Sequence, residues 1–220
     1  MGALIGIEKG PASTALCVVE PERRGNEVHF IVRHLERLPP NPSCVVLAER
    51  YTEIVERLGT KTDLFVQAYL NATQDGPPLV DAFRELTRAS SLRPIYFNHG
   101  AQRVVAEDRT TIQLGKAWLV SRLKVLFQRG RLHMARTPEA ATLRRELEAY
   151  RVDLPEDAND RYGAFRVGSQ DDLLTALGLA VQEDLVPWSA EHWAALEEAF
   201  SGPPITEAGA IAEMYRKLGL

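Results

Sequence analysis

The sequence predicts an α/β protein: a mixed five-stranded sheet flanked by helices, with a helical C-terminal appendage. Three observations carry that expectation. Runs rich in β-branched and aromatic residues dominate the N-terminal half. Apolar residues at helical spacing separate and follow them. After Glu183 the character changes to two amphipathic stretches, "VPWSAEHWAALEEAF" and "ITEAGAIAEMYRKLGL", parted by "SGPP". A chain of 220 residues holds one substantial domain with a small addition, so boundaries at 1–184 and 185–220 follow.

"ALIGIE" (3–8), "STALCVVE" (13–20) and "EVHFIVRHL" (27–35) read as three strands, with "GPAS" and "PERRGN" as turn material between them. Links this short favour an antiparallel meander. "CVVLAERYTEIVERLG" (44–59) places Val45, Leu47, Tyr51, Ile54, Val55 and Leu58 at helical spacing and stops at Gly59. A fourth strand, "DLFVQAYL" (63–70), leads to a helix over 77–86 that starts on proline. "PIYFN" (94–98) is the fifth strand. Helices follow at 116–128 and at about 138–149, joined through "GRLHM". The irregular "VDLPEDANDRYG" precedes a last apolar run, "GSQDDLLTALGLAV" (168–181).

Composition is that of a soluble globular protein, with 45% hydrophobic and 25% charged residues, and no apolar run approaches the ~18 residues of a membrane span. The start lacks the basic and apolar segments of a signal peptide. Cys17 and Cys44 sit in apolar stretches as free thiols, so a cytoplasmic location, without a membrane partner, is expected. A net charge of −4 argues against a globally basic nucleic-acid coat and leaves room for a local basic strip.

The last apolar run begins with two adjacent aspartates, Asp171 and Asp172. One reading is helix capping: Ser169 and Asp172 form an S-x-x-D pattern, and Asp171 would interact favourably with the helix dipole. The other is half of a divalent-metal site. Glu8 closes the first strand and Asn71 follows the fourth. In a βββαβαβα order those two strands are expected to be parallel neighbours, which sets Glu8 beside Asn71 at one sheet edge, facing Asp171 and Asp172. That arrangement is the one of a ribonuclease-H-like nuclease.

Several blocks resemble the C-terminal nuclease domain of phage large terminase subunits. "GIEKGPASTALCVVE" is similar to that family's opening strand pair and "VRHLERLP" to its third strand. "LNATQDGPPLVDAFREL" resembles its second acidic motif and following helix. "LGKAWLVSRLKVLFQRGRLHM", "LRRELEAYRVDL" and "YGAFRVGSQDDLLTALGLAV" resemble its later helices, strand and closing motif. The resemblance covers residues 3 to 184. It implies a ribonuclease-H-like fold and metal-dependent, sequence-nonspecific cutting of double-stranded DNA during viral packaging, in the host-cell cytoplasm. Glu8, Asn71, Asp171 and Asp172 stand at the catalytic positions, with Glu8, Asp171 and Asp172 as ligands of Mg²⁺ or Mn²⁺. No G-x-x-x-x-G-K-[ST] loop is present, so the chain is read as either an excised nuclease domain or a free-standing relative; other packaging-motor subunits are candidate partners.

The family has Asp where this chain has Glu8 and Asn71, and often His where Gln170 stands. Glu8 moves its charge out by one methylene. Asn71 removes a charge and keeps only a carbonyl ligand, for which Asp75 is a candidate substitute. These departures support a second reading, an inactive pseudo-nuclease that binds DNA or a protein partner. A junction resolvase or transposase relative is a third, against which the 116–152 block argues. Lys116, Arg122, Lys124, Arg129 and Arg131, with Arg144 and Arg145 beyond them, form either a solvated helix face or a phosphate-binding strip. His99 and His133 lack a second candidate at metal spacing.

Overall fold

A computed structural model describes residues 2–10, 13–59, 65–87, 91–98, 100–107, 110–149 and 171–185. The chain divides into Gly2–Val186 and a separate unit comprising Met1 and Pro187–Leu220. The expected 185–220 appendage, apart from Leu185, lies outside the described residues, as do His99, Ser169 and Gln170.

The five expected strands are present: β1 (Gly2–Lys9), β2 (Thr14–Arg24), β3 (Glu27–Leu38), β4 (Phe65–Asn71) and β5 (Leu92–Asn98). So are the five helices, α1 (Cys44–Gly59), α2 (Gly76–Thr87), α3 (Lys116–Gln128), α4 (Pro138–Ala149) and α5 (Asp172–Ala180). Among the described residues the sheet has three short strands beyond these five. β6 (Arg103–Val105), β7 (Ile112–Gly115) and β8 (Leu132–Met134) extend the sheet to the order β6-β7-β5-β4-β1-β2-β3-β8. Each has three or four residues, too few to show an alternation of apolar and polar positions. The "PERRGN" turn also shrinks: β2 and β3 stay paired out to Arg24 and Glu27, so only Gly25 and Asn26 turn.

β1, β2 and β3 form the antiparallel meander, and β1 runs parallel to β4 with Ile7 opposite Leu70. One residue further along, Glu8 and Asn71 end adjacent strands. Alternation along the strands divides the core. Ile5, Ile7, Leu16, Val18, Ala68 and Leu70 pack against Leu47, Tyr51 and Ile54 of α1 and Leu79, Val80 and Phe83 of α2. Leu4, Cys17, Phe30, Tyr69 and Ile95 face the other way, toward α3, α4 and α5.

α5 lies against the middle of that second face. Every residue from Asp172 to Ala180 is buried, as a helix apolar all round apart from Asp172 and Thr175 requires. Its approach to the sheet depends on Gly6, where a Cβ would stand 1.9 Å from the carbonyl oxygen of Ala176. The exit from α5 is pinned by charges. Glu183 accepts the Tyr69 hydroxyl and pairs with Arg93 (3.2 Å) and Arg103 (2.7 Å). Asp184 pairs with Arg122 and Arg131. Among the described residues no helix is long and apolar enough to cross a membrane.

Candidate functional site

Register builds the site. Across the α5 face of the sheet, one transverse row reads Asn71 on β4, Glu8 on β1, Ala15 on β2 and Arg37 on β3. The start of α5 lies over this row and brings Asp171 and Asp172. Gly10 leaves room for the carboxylate of Asp172 from the loop: a Cβ there would stand 2.9 Å from Asp172 Oδ1 and 3.5 Å from Glu8 Oε1. The structure therefore brings together Glu8, Asn71, Asp171 and Asp172.

Two further residues belong to the site and were not expected from the sequence. Glu146, buried on α4, accepts the backbone N–H of Leu174 at 2.9 Å through Oε2 and the guanidinium of Arg37 through Oε1. Arg37 also lies 3.7 Å from Asp172 Oδ2. Glu146 thus satisfies one of the free N–H groups in the first turn of α5 from another helix. Ser169, the other half of the expected S-x-x-D cap, lies outside the described residues. Asp171 is the N-cap residue and its side chain makes no capping bond, while Asp172 is already helical and its carboxylate receives the Ser13 hydroxyl. Arg37 on β3 and Glu146 on α4 each occupy a polar position with no local motif, and only the packing of α4 against the sheet pairs them.

Each carboxylate already has a partner. Asn71 donates from Nδ2 to both oxygens of Glu8, at 3.0 and 2.8 Å. Its orientation is settled by Thr73, whose backbone N–H (3.0 Å) and hydroxyl (2.6 Å) donate to Asn71 Oδ1. A backbone N–H can only donate, so the Asn71 carbonyl must face Thr73 and its amide N–H groups must face Glu8. Lys116 Nζ stands 3.9 Å from Asp171 Oδ2. Asp75 is engaged by Lys9 at 3.0 Å and does not substitute for Asn71.

The electrostatics follow. Burial pushes the Glu8 carboxyl up to about 7, against the bond from Asn71 and the positive charge of Lys116, and the nearby Asp171 and Asp172 push it the same way. Burial also raises Asp172 and Glu146, in both cases against the pull of Arg37.

These residues do not fit the expected pair of divalent ions. At the position where a second acidic ligand is needed, Asn71 presents two N–H donors, which repel a cation. Arg37 and Lys116 bring positive charge to Asp172 and Asp171. Among the described residues no group of three or more His, Cys, Asp or Glu side chains is placed to hold a metal ion. Glu8, Asp171 and Asp172, expected as Mg²⁺ or Mn²⁺ ligands, are engaged here by Asn71, Lys116, Ser13 and Arg37.

The basic strip is also redrawn. Arg131 is buried, donating to the Val28 carbonyl at 2.7 Å and pairing with Asp184 at 2.9 Å. Arg122 donates to the Val181 carbonyl at 3.0 Å and also pairs with Asp184. Both tie α3 and the β8 edge to the end of α5. Lys116 faces the acidic centre and lies 5.5 Å from the ring of Phe97. Lys124 and Arg129 on and just after α3, and Arg144 and Arg145 on α4, are exposed, and Arg136 between them joins the strip.

No family model and no curated protein sequence matches the chain. Solved structures do. The manganese-soaked nuclease domain of human cytomegalovirus terminase is 14% identical, over 82% of this chain and 81% of that one, with a TM-score of 0.51. The same viral domain without the soak is 14% identical over 82% of each chain, at 0.49. RuvC of Thermus thermophilus is 15% identical over 81% of this chain and 90% of that one, at 0.41. With the β3-β2-β1-β4-β5 sheet core and its helices on both faces, the first of these likenesses shows a ribonuclease-H-like fold.

Proposed function

We propose that the chain is a terminase-type nuclease domain of viral DNA packaging that has kept the fold and a duplex-binding face, and that holds double-stranded DNA without cutting it. The orientation of Asn71 carries this reading: its amide donors face Glu8, and Thr73 locks them there. The exposed line of Lys124, Arg129, Arg136, Arg144 and Arg145 supplies phosphate contacts without base reading. Partnership with other packaging-motor subunits belongs to the same proposal.

An active metal-dependent endonuclease is the second reading, favoured by the convergence of Glu8, Asp171 and Asp172 at the ends of β1 and β4. A supercoiled-plasmid nicking assay in Mn²⁺, run beside duplex binding by fluorescence anisotropy, separates the two. The expected result is duplex binding without nicking in the chain as it stands. The double variant Asn71→Asp with Glu8→Asp replaces the amide donors by a carboxylate and shortens the reach of the other ligand, and it should nick measurably. Comparable nicking by the unaltered chain would establish the second reading instead.

A further inference from the structure

Four carboxylates meet at the start of α5: Glu8, Glu146, Asp171 and Asp172. In a low-dielectric setting such a group is unstable unless positive charge is supplied. In this chain the supply is covalent. Arg37 reaches across the row from β3, bonds Glu146 and lies 3.7 Å from Asp172 Oδ2. Lys116 approaches Asp171 from the start of α3. A guanidinium suits the task because it is always charged, and one terminal nitrogen of Arg37, Nη2, faces both Glu146 and Asp172. Glu146 in turn is fixed by the Leu174 N–H, so Arg37 is held in place by the helix whose acidic end it neutralises.

We infer that Arg37, positioned by Glu146, is the resident counter-ion of the acidic centre and competes with divalent cations for Asp172. This inference rests on the non-cleaving reading and adds what has taken the ion's place. It treats Arg37 as a positioning residue: it orders Asp172 and the first turn of α5 without metal, and it excludes metal by occupying the same carboxylate. Among the described residues the buried Nε of Arg37 has no hydrogen-bond partner, and the side chain is placed there by its ion pairs.

The test is a Mn²⁺ titration of the full chain by calorimetry, with melting temperatures recorded in EDTA and in Mn²⁺. The unaltered chain should melt at the same temperature in both. Arg37→Gln should melt lower in EDTA, recover part of that loss in Mn²⁺, and bind Mn²⁺ at least tenfold more tightly. Arg37→Lys, which keeps the charge, should stay indifferent to Mn²⁺. If Arg37→Gln does not fold, Glu146→Gln provides the second route. It retains an acceptor for Leu174 but loosens Arg37, and it should gain a smaller Mn²⁺ response. Saturable Mn²⁺ binding by the unaltered chain, or a folded variant whose Mn²⁺ response is unchanged, overturns the inference. Failure of the functional proposal is read elsewhere, as nicking or as absent duplex binding, so the two can fall separately.

Discussion

At the scale of single residues, the site turns on where protons and donors sit. Glu8 is a buried carboxyl whose folded-state pKa lies near 7 and whose ordinary value is near 4.5. The folded state therefore binds a proton that the unfolded chain has released, over the range from about pH 4.5 to 7. Stability contributed by this group is present below that range and is lost as pH rises through it. Glu146 and Asp172, also raised, act in the same direction. Replacing Glu8 by Gln removes the charge and keeps the shape. Chemical denaturation should show Glu8→Gln more stable than the parent at pH 8, by at most about 3 kcal/mol, with the gain vanishing toward pH 5. An equal gain at both pH values would locate the effect in packing. Glu8 and Asn71 were legible as strand-end residues from the chain alone. The direction of the Asn71 amide was not, because Thr73 decides it through a turn that composition does not encode.

Among the elements, α5 was the most legible and the least explained. Its apolar run marks it as a buried helix, and the adjacent aspartates mark its start. What its first turn bonds to was hidden, since Ser13, Arg37 and Glu146 come from three other elements. The short strands β6 and β7 were missed for a related reason: three or four residues pair only because a neighbouring strand offers free backbone groups, whereas β8 is the strand that the block ending "GRLHM" implies by resemblance. Gly6 shows how tightly the element is seated. A methyl group there would overlap the Ala176 carbonyl, and backbone cannot yield as a flexible side chain can. Gly6→Ala should cost about 3 kcal/mol or more in urea unfolding, at the upper end of overpacking effects. It should also lift Asp172 away from Ser13. A loss below about 1 kcal/mol would mean that α5 can slide along the sheet without penalty.

Over the whole domain, charge separates into two uses that a sequence cannot tell apart. Arg122, Arg131, Arg93 and Arg103 neutralise Glu183 and Asp184 and fasten the end of α5. Lys124, Arg129, Arg144 and Arg145 stay on the surface with Arg136, where they can release counter-ions from a duplex phosphate. All are basic residues on or near helices and strands; the pairs that the first four make with Glu183 and Asp184 distinguish them, and those pairs depend on the fold. The distinction predicts opposite behaviour for two arginines two positions apart. Arg129→Ala should leave the melting temperature nearly unchanged and weaken duplex binding, reducing the slope of log K against log salt by about one unit for each phosphate left without its cation. Arg131→Ala should remove a buried bond to Val28 and the pair with Asp184, and it should destabilise the fold by about 2 kcal/mol. Any duplex bound by the folded fraction of that variant should keep the parent's salt slope. If Arg131→Ala instead flattens the slope while the fold holds, its guanidinium reaches phosphate and the strip extends to the β8 edge. If neither substitution moves the slope, the duplex lies on another face, and the α3–α4 surface is no part of it.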